Sequence, residues 1–191
     1  MADRAPLRAS AAGILLAILA LLVLAADQFA KYLALQNLPL QVNVPILGDL
    51  LQFYLVRNAG AAFSLGEGVT WLFTIALVVV AIAIIVLFAL GRVRSRAWTV
   101  VLGLLLGGVL GNLSDRLFRD PGFGVGHVVD FISTPWMMPA IYNVSDIFIV
   151  TMMIGVALLV LLGFRLDGTR ERRARPSEDD DEERRPDDTE S

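Results

Sequence analysis

The feature that most constrains this chain is a set of four long apolar runs without a charged residue. The runs cover residues 11–26, 69–91, 97–114 and 147–164. A helix needs about 20 apolar residues to cross a hydrocarbon core ~30 Å thick. The first run is short but can be extended at the interface by Phe29. The sequence therefore predicts four transmembrane helices, and the 56% apolar content of the whole chain agrees with a membrane protein.

A cleaved signal peptide is the alternative interpretation of the first run. Arg4 and Arg8 precede it, and Ala25 and Ala26 resemble a small-residue cleavage site. The run is long for a signal peptide, however, and the helical pattern continues through Lys31. This continuity favours a first span that stays in the protein.

The distribution of Lys and Arg predicts the orientation of the four spans. Basic residues precede the first span, follow the fourth, and crowd the short link at 92–96. Short loops rich in Lys and Arg face the cytoplasm. We therefore expect both termini on the cytoplasmic side of the membrane, and the loops 37–68 and 115–146 on the other side.

The two outer loops differ in pattern. Residues 51–56 alternate in a way that predicts a short β-strand. Residues 115–146 contain several glycines and prolines and are expected to be mostly loop, with apolar residues 136–138 suited to the membrane interface. In the third span, small residues recur at helical spacing and predict close helix packing. These residues are Gly103, Gly107, Gly108 and Gly111.

The charged C-terminal segment differs from the rest of the chain. Residues 165–191 hold 7 Arg and 11 Asp or Glu, a net charge of −4, which leaves +1 for residues 1–164. Such a composition predicts disorder. We expect a transmembrane domain at 1–165 and a charged cytoplasmic tail at 166–191 that carries no chemistry.

Residue usage excludes several kinds of site. The chain has no cysteine and one histidine, His127. Disulfides, thiolate nucleophiles and cysteine-based or histidine-based zinc sites are therefore excluded. We expect neither a cofactor nor a metal ion.

Four carboxylates lie where the spans meet the outer loops. They are Asp27, Asp115, Asp130 and Asp146. A charge at membrane depth costs several kcal/mol, so such residues are usually paired or functional. Three of them have polar neighbours at helical spacing, such as Lys31 four residues after Asp27. Interfacial solvation and ion pairing are the plain alternative to a functional role.

The chemistry that this set supports best is hydrolysis by two carboxylates. Two carboxylates that share a proton can activate water and polarise a carbonyl group. A serine-type mechanism needs a base, and His127 has no evident nucleophilic serine beside it. A small transporter or proton-relay protein is the alternative from another class, because intramembrane carboxylates also carry ions. The residue pattern alone leaves open which two aspartates would act.

Five short motifs resemble those of the lipoprotein signal peptidases, or signal peptidase II, an aspartic peptidase family. They are DQFAK at 27–31, NAGAAFS at 58–64, GNLSDR at 111–116, GHVVDF at 126–131 and YNVSD at 142–146. They occur in the family order and at family-like spacing. Tyr142 and Ser145 depart from the family's Phe and Ala, but the aspartate of that motif is in place.

The resemblance implies four transmembrane helices with a small extracytoplasmic β-cradle between the first two. It implies that Asp130 and Asp146 are the catalytic pair. The residues implied to line the substrate site or support the pair are Asn58, Asn112, Arg116 and Asn143. The residues implied to be structural are Asp27, Lys31 and Asp115.

The resemblance also implies a substrate and a setting. The substrate would be a prolipoprotein, cut just before its diacylglyceryl-modified cysteine by a multi-pass enzyme of the bacterial inner membrane. Membrane lipids would be its other partners, and neither a cofactor nor a nucleic acid is expected.

Overall fold

The structure is a computed structural model and describes residues 6–60 and 69–170. Four helices and four strands lie within these residues. They are α1 (Ala9–Asn37), β1 (Asn43–Pro45), β2 (Gln52–Asn58), α2 (Thr70–Ala89), α3 (Arg96–Phe118), β3 (Val128–Thr134), β4 (Met138–Tyr142) and α4 (Val144–Leu161). Each of the four helices is long and apolar enough to cross a membrane, which confirms the four predicted spans.

Two helices extend beyond the apolar runs that predicted them. The first run ends at residue 26, but α1 continues to Asn37 because its polar residues Asp27 and Lys31 are buried and paired inside the protein. The fourth run starts at residue 147, but α4 starts at Val144, where Asn143 caps it. Polar residues therefore extend α1 at its C-terminal end and α4 at its N-terminal end, which are the ends predicted to lie outside the cytoplasm.

Helix α3 is the central helix and packs against the other three. Its glycines permit the close approach. A Cβ at Gly107 would lie 2.6 Å from Val23 Cβ of α1, and one at Gly108 would lie 2.8 Å from the carbonyl oxygen of Ser145 in α4. A Cβ at Gly111 would overlap the side chain of Ser145. The predicted role of these glycines in close packing is confirmed.

The four strands form one antiparallel sheet in the order β1-β2-β3-β4. Strand β2 confirms the strand predicted at 51–56. The expectation that residues 115–146 are mostly loop is wrong, because β3 and β4 lie there. The expectation of a β-cradle between the first two helices therefore holds only for β1 and β2, since the other half of the sheet lies between α3 and α4. Strand β3 is buried along most of both faces, so its sequence shows no alternation that would have predicted it.

The two faces of the sheet have different neighbours. Leu55, Val129 and Phe131 pack with Ala34 of α1 in a hydrophobic cluster. Successive side chains of a strand point to opposite faces, and Asp130 pairs in register with Val56. Asp130 therefore points away from that cluster, on the same face as Val56.

The chain after α4 turns back onto the link between α2 and α3. The backbone N–H groups of Arg94 and Ser95 donate to the carbonyl oxygen of Leu166 at 2.9 and 3.0 Å. The indole N–H of Trp98 donates to the carbonyl oxygen of Phe164 at 3.0 Å. Packing thus continues past residue 165, while most of the tail predicted to be disordered, residues 171–191, lies outside the described residues.

Candidate active site

Two carboxylates from different elements meet at one asparagine. Asp130 lies in β3, and Asp146 lies in the first turn of α4. The side-chain N–H of Asn143 donates to Asp130 Oδ1 at 2.7 Å, and its backbone N–H donates to Asp146 Oδ2 at 3.1 Å. The two aspartates that the family resemblance singled out are thus brought together by a single residue.

Local helix geometry explains the position of Asp146. Asn143 is the N-cap of α4 and accepts a hydrogen bond from the backbone N–H of Asp146 at 3.0 Å. The return bond from Asn143 to the carboxylate completes a capping box, here with an aspartate at the third helical position. The box satisfies two N–H groups that would otherwise be unpaired. It also fixes the position of the Asp146 carboxylate at the N-terminus of α4.

Two further asparagines complete the contacts of the pair. Asn58, at the end of β2, donates to Asp130 Oδ2 at 2.9 Å. Asn112, in α3, donates to Asp146 Oδ1 at 2.8 Å. Each carboxylate therefore receives two N–H donors. All three asparagines predicted to lie near the pair do so.

The environment of Asp130 favours a shared proton. Only 2% of this residue is exposed. Burial, followed by the nearby charge of Asp146, raises the pKa of Asp130 to about 7, against the opposing hydrogen bonds from Asn58 and Asn143. A carboxyl group that keeps its proton near neutral pH beside a second carboxylate can donate a proton while its partner accepts one.

A buried charge cluster supports the pair from one side. Lys31 Nζ lies 2.8 Å from Asp27 Oδ2 and 2.8 Å from Asp115 Oδ2, and all three side chains are fully buried. The predicted pairing of Asp27 with Lys31 is confirmed. Lys31 also donates to Asn112 Oδ1 at 3.0 Å, which links the cluster to the asparagines.

Sequence reasoning missed two members of this cluster. Arg119 Nε lies 2.6 Å from Asp115 Oδ1. The side-chain N–H₂ of Gln28 donates to Asp115 Oδ1 and to the carbonyl oxygen of Gly111, both at 3.1 Å. The four-residue spacing of Asp115 and Arg119 was the available signal, because the same spacing had predicted the pairing of Asp27 with Lys31.

Arg116 lies beside the pair, but its hydrogen bonds go elsewhere. One guanidinium nitrogen, Nη1, donates to the carbonyl oxygens of Asn58, Ala59 and Gly126 at 3.2, 3.0 and 3.0 Å. The other, Nη2, donates to the carbonyl oxygen of Gly60. Arg116 therefore ties the end of β2 to the chain that enters β3. The rest of that motif, residues 61–64, lies outside the described residues.

Other candidate groups are not part of this arrangement. His127 lines a separate surface cavity of about 260 Å³ together with Arg57 and Arg119. Ser145 is fully buried, and no group in the described parts of the chain, 6–60 and 69–170, hydrogen-bonds its hydroxyl. This setting lacks the base that a serine nucleophile needs.

Comparison with known proteins decides the family. The sequence model of a family described as signal peptidase (SPase) II matches residues 19–165. This chain belongs to the signal peptidase II family. The match covers α1 from its middle onward, all the strands, and the remaining helices, so it includes both carboxylates and the three asparagines.

Individual relatives agree with the family assignment. A lipoprotein signal peptidase of Leifsonia xyli subsp. xyli is 50% identical over 159 residues, which cover 83% of this chain and 72% of the relative. Another, of Mycobacterium avium, is 43% identical over 166 residues, 86% of each chain. The chain is also similar to a bacterial membrane enzyme solved by the in meso method at 2.3 Å resolution. That likeness has a TM-score of 0.68 and 25% identity and covers 83% of this chain and 93% of the other.

Family membership and the four apolar helices together establish the class of protein. The chain is a protease of the signal peptidase II family and a multi-pass bacterial membrane protein. The comparisons do not favour the alternative of a small transporter or proton-relay protein.

Proposed function

We propose that this signal peptidase II removes signal peptides from prolipoproteins by hydrolysing the bond just before the diacylglyceryl-modified cysteine, with Asp130 and Asp146 as the catalytic pair. The observation that carries the proposal is the convergence of these two buried carboxylates on Asn143 in a chain of this family. The substrate class follows from the names of the relatives, which are lipoprotein signal peptidases.

The proposed reaction needs only water and the pair. One carboxylate accepts a proton from water, whose oxygen forms a bond to the scissile carbonyl carbon. The carboxyl group that holds the proton polarises the carbonyl oxygen. Collapse of the tetrahedral intermediate breaks the carbon–nitrogen bond, and the departing amine takes a proton from the pair. Asn58, Asn112 and Asn143 hold the carboxylates during these steps.

The site is proposed to face the outside of the bacterial inner membrane, with both termini in the cytoplasm. Asp146 lies in the first turn of α4, so the scissile bond would meet the pair at the edge of the bilayer. The substrate's acyl chains and signal helix could then stay among membrane lipids. Nucleic acid has no part in this reaction.

Hydrolysis is assigned to residues 1–165, and the charged tail at 166–191 is proposed to take no part in it. The tail would lie on the cytoplasmic side, opposite the pair. The basis for this assignment is that both carboxylates and the three asparagines lie between residues 58 and 146.

The direct test is cleavage of a lipidated precursor by the purified protein in detergent micelles or nanodiscs. Mass spectrometry of the products is expected to show a lipoprotein that begins with the diacylglyceryl-modified cysteine, together with the released signal peptide. A precursor left intact by a folded, monodisperse protein would contradict the proposal.

The proposed orientation predicts which loops an impermeant thiol reagent can reach in intact cells. The chain has no cysteine of its own, so a single Cys can be placed at one position at a time. An Arg94→Cys variant should stay unlabelled until the membrane is opened, because Arg94 lies in the basic link between α2 and α3. Phe123→Cys is the matched control, since Phe123 is 80% exposed in the loop after α3 and should be labelled at once. The reverse labelling pattern would overturn the orientation.

Arg116→Ala is expected to lower kcat/KM about 10- to 100-fold while both carboxylates stay in place. The substitution leaves four carbonyl oxygens without their donor and releases the end of β2, from which Asn58 contacts Asp130. Arg116→Lys should restore little, because an ammonium group cannot reproduce the planar fork of a guanidinium.

Arg57→Ala is the matched control for this variant. Arg57 also lies near the end of β2, but its side chain is half-exposed and its ion contact with the exposed Asp120 is 3.8 Å long. Cleavage kinetics should be close to those of the unaltered enzyme. Equal rates for Arg116→Ala and Arg57→Ala would remove Arg116 from the support of the site.

A further inference from the structure

Lys31 is placed to do more than neutralise its neighbours. Its ammonium group has three hydrogens, and three acceptors surround it: Asp27 Oδ2 and Asp115 Oδ2 at 2.8 Å, and Asn112 Oδ1 at 3.0 Å. An ammonium group can only donate hydrogen bonds. The oxygen of Asn112 must therefore face Lys31.

The direction of the Asn112 amide determines what it offers to Asp146. With its oxygen held by Lys31 and by the side-chain N–H of Asn143, at 3.0 and 3.1 Å, Asn112 must present its N–H₂ group to Asp146 Oδ1, at 2.8 Å. Hydrogen bonding of a donor to a carboxylate favours the charged form. The positive charge of Lys31 thus reaches Asp146 through one polarised amide.

The two carboxylates differ in a second respect. Asp146 lies at the N-terminus of α4, where the dipole of the helix favours a negative charge. Asp130 lies in a strand and is 2% exposed, and its two donors are the amides of Asn58 and Asn143, whereas Lys31 bonds the amide of Asn112. The N-terminus of α4 and the hydrogen bonds from Lys31 through Asn112 both favour a negative charge on Asp146.

We propose that Lys31 is a positioning residue that acts through Asn112, so that the negative charge of the pair rests on Asp146 and the proton on Asp130. This inference rests on the proposed function and deepens it. It makes Asp146 the group that accepts the proton from water and Asp130 the group that protonates the substrate. Lys31 itself touches neither the substrate nor the reacting atoms.

Several elements contribute charged groups to the pair and to the cluster around Lys31, and the test must leave the net charge of that cluster unchanged. They are Asp27 and Lys31 of α1, Asp115, Arg116 and Arg119 of α3, Asp130 of β3 and Asp146 of α4. Removing Lys31 alone would leave two buried carboxylates with one cation, which destabilises the fold.

A double substitution avoids this imbalance. In Asp27→Asn/Lys31→Met the cluster stays neutral, because Asp115 keeps Arg119 at 2.6 Å. An asparagine at position 27 can still accept from the backbone N–H of Ser145, as Asp27 does at 2.8 Å. The unaltered enzyme, in which Asp27 and Asp115 balance Lys31 and Arg119, is the reference for this variant. Size-exclusion chromatography and thermal melting verify that each protein is folded.

The measurement is the pH dependence of kcat and KM on a diacylglyceryl-modified precursor. Relative to the unaltered enzyme, the double variant should show kcat lowered about 10-fold, with KM changed little. In the double variant Lys31 no longer polarises the Asn112 amide that donates to Asp146, so the charged form of Asp146 is less favoured. The acid limb of the kcat profile should therefore move about one unit to higher pH. The loss is partial because Asn143 still holds the oxygen of Asn112.

Asn112→Ala removes the amide that links Lys31 to Asp146 and leaves the ion pairs of Lys31 with Asp27 and Asp115 intact. It should show the same upward movement of the acid limb even if the double variant fails to fold. A lowered kcat with an unmoved acid limb in either folded variant would give these residues a purely structural role and overturn the inference. Failure of the unaltered enzyme to cleave the precursor would instead contradict the proposed function itself.

Discussion

Replacement of Asp130 or Asp146 by Asn is expected to abolish cleavage of the lipidated precursor, with a rate loss of about 10³-fold or more. A carboxamide can neither take a proton from water nor give one to the departing amine. An asparagine has nearly the same shape as an aspartate, and its amide oxygen can still accept from one of the two donors at each position, although its N–H₂ group faces the other donor. Single-turnover cleavage assays on each purified variant measure the loss.

Stability separates a loss of chemistry from a loss of fold. The pKa of Asp130 is raised to about 7 by burial, so ionising this group opposes folding, and the penalty grows as pH rises from about 4 towards 7. Asp130→Asn should therefore melt no lower than the unaltered protein at pH 8. Asp120→Asn makes the same chemical change at a side chain that is 91% exposed and should leave the rate unchanged. Near-normal turnover by Asp130→Asn or Asp146→Asn would remove that residue from the proposed pair.

A precursor without the diacylglyceryl group is expected to be cleaved about 100-fold more slowly, or not at all. The pair lies where the first turn of α4 meets the sheet, so acyl chains held in the bilayer would restrict the scissile bond to the depth of the carboxylates. Positioning of this kind supplies a large part of many catalytic rates. Matched precursors with and without the lipid, reconstituted in nanodiscs at equal concentration, provide the comparison.

Binding and positioning can be told apart in the same system. The unmodified precursor keeps its apolar signal helix and should compete with the lipidated one, so it should act as an inhibitor that is cleaved poorly. Equal rates on both precursors would refute the positioning argument even for an active enzyme. Slow cleavage without competition would mean that the lipid is needed for binding.

Local patterns predicted the membrane-spanning part of this protein correctly. Each of the four uncharged runs became a helix, because a segment of that length and composition is most stable as a helix in a bilayer. The spacing of the glycines in α3 likewise predicted close helix packing, and α1 and α4 are the helices that approach there. The pairing of Asp27 with Lys31 followed from a spacing of four residues on one helix.

Sequence patterns predicted the structure less well where a segment is buried on both faces. Strand β3 carries Asp130 but has no polar face, so it resembled loop sequence between glycines and prolines. The hydrogen bonds of Arg116 were also not predictable from the sequence. Its guanidinium donates to backbone carbonyls of Asn58, Ala59, Gly60 and Gly126. Partners that are distant in sequence leave no periodic signal.

The sequence by itself determined that the chain crosses a membrane four times and, through five motifs, which family it resembles. It also singled out the four aspartates, because charge is rare and costly in apolar surroundings. The family resemblance implied which two of them form the pair, but only the tertiary structure decided through which groups they meet. Asp130 and Asp146 meet through Asn143, whereas Asp27 and Asp115 meet on Lys31. The physical reason is that a carboxylate's role depends on the donors around it, and here those donors come from α1, α3, α4 and the sheet, which are brought together only by folding.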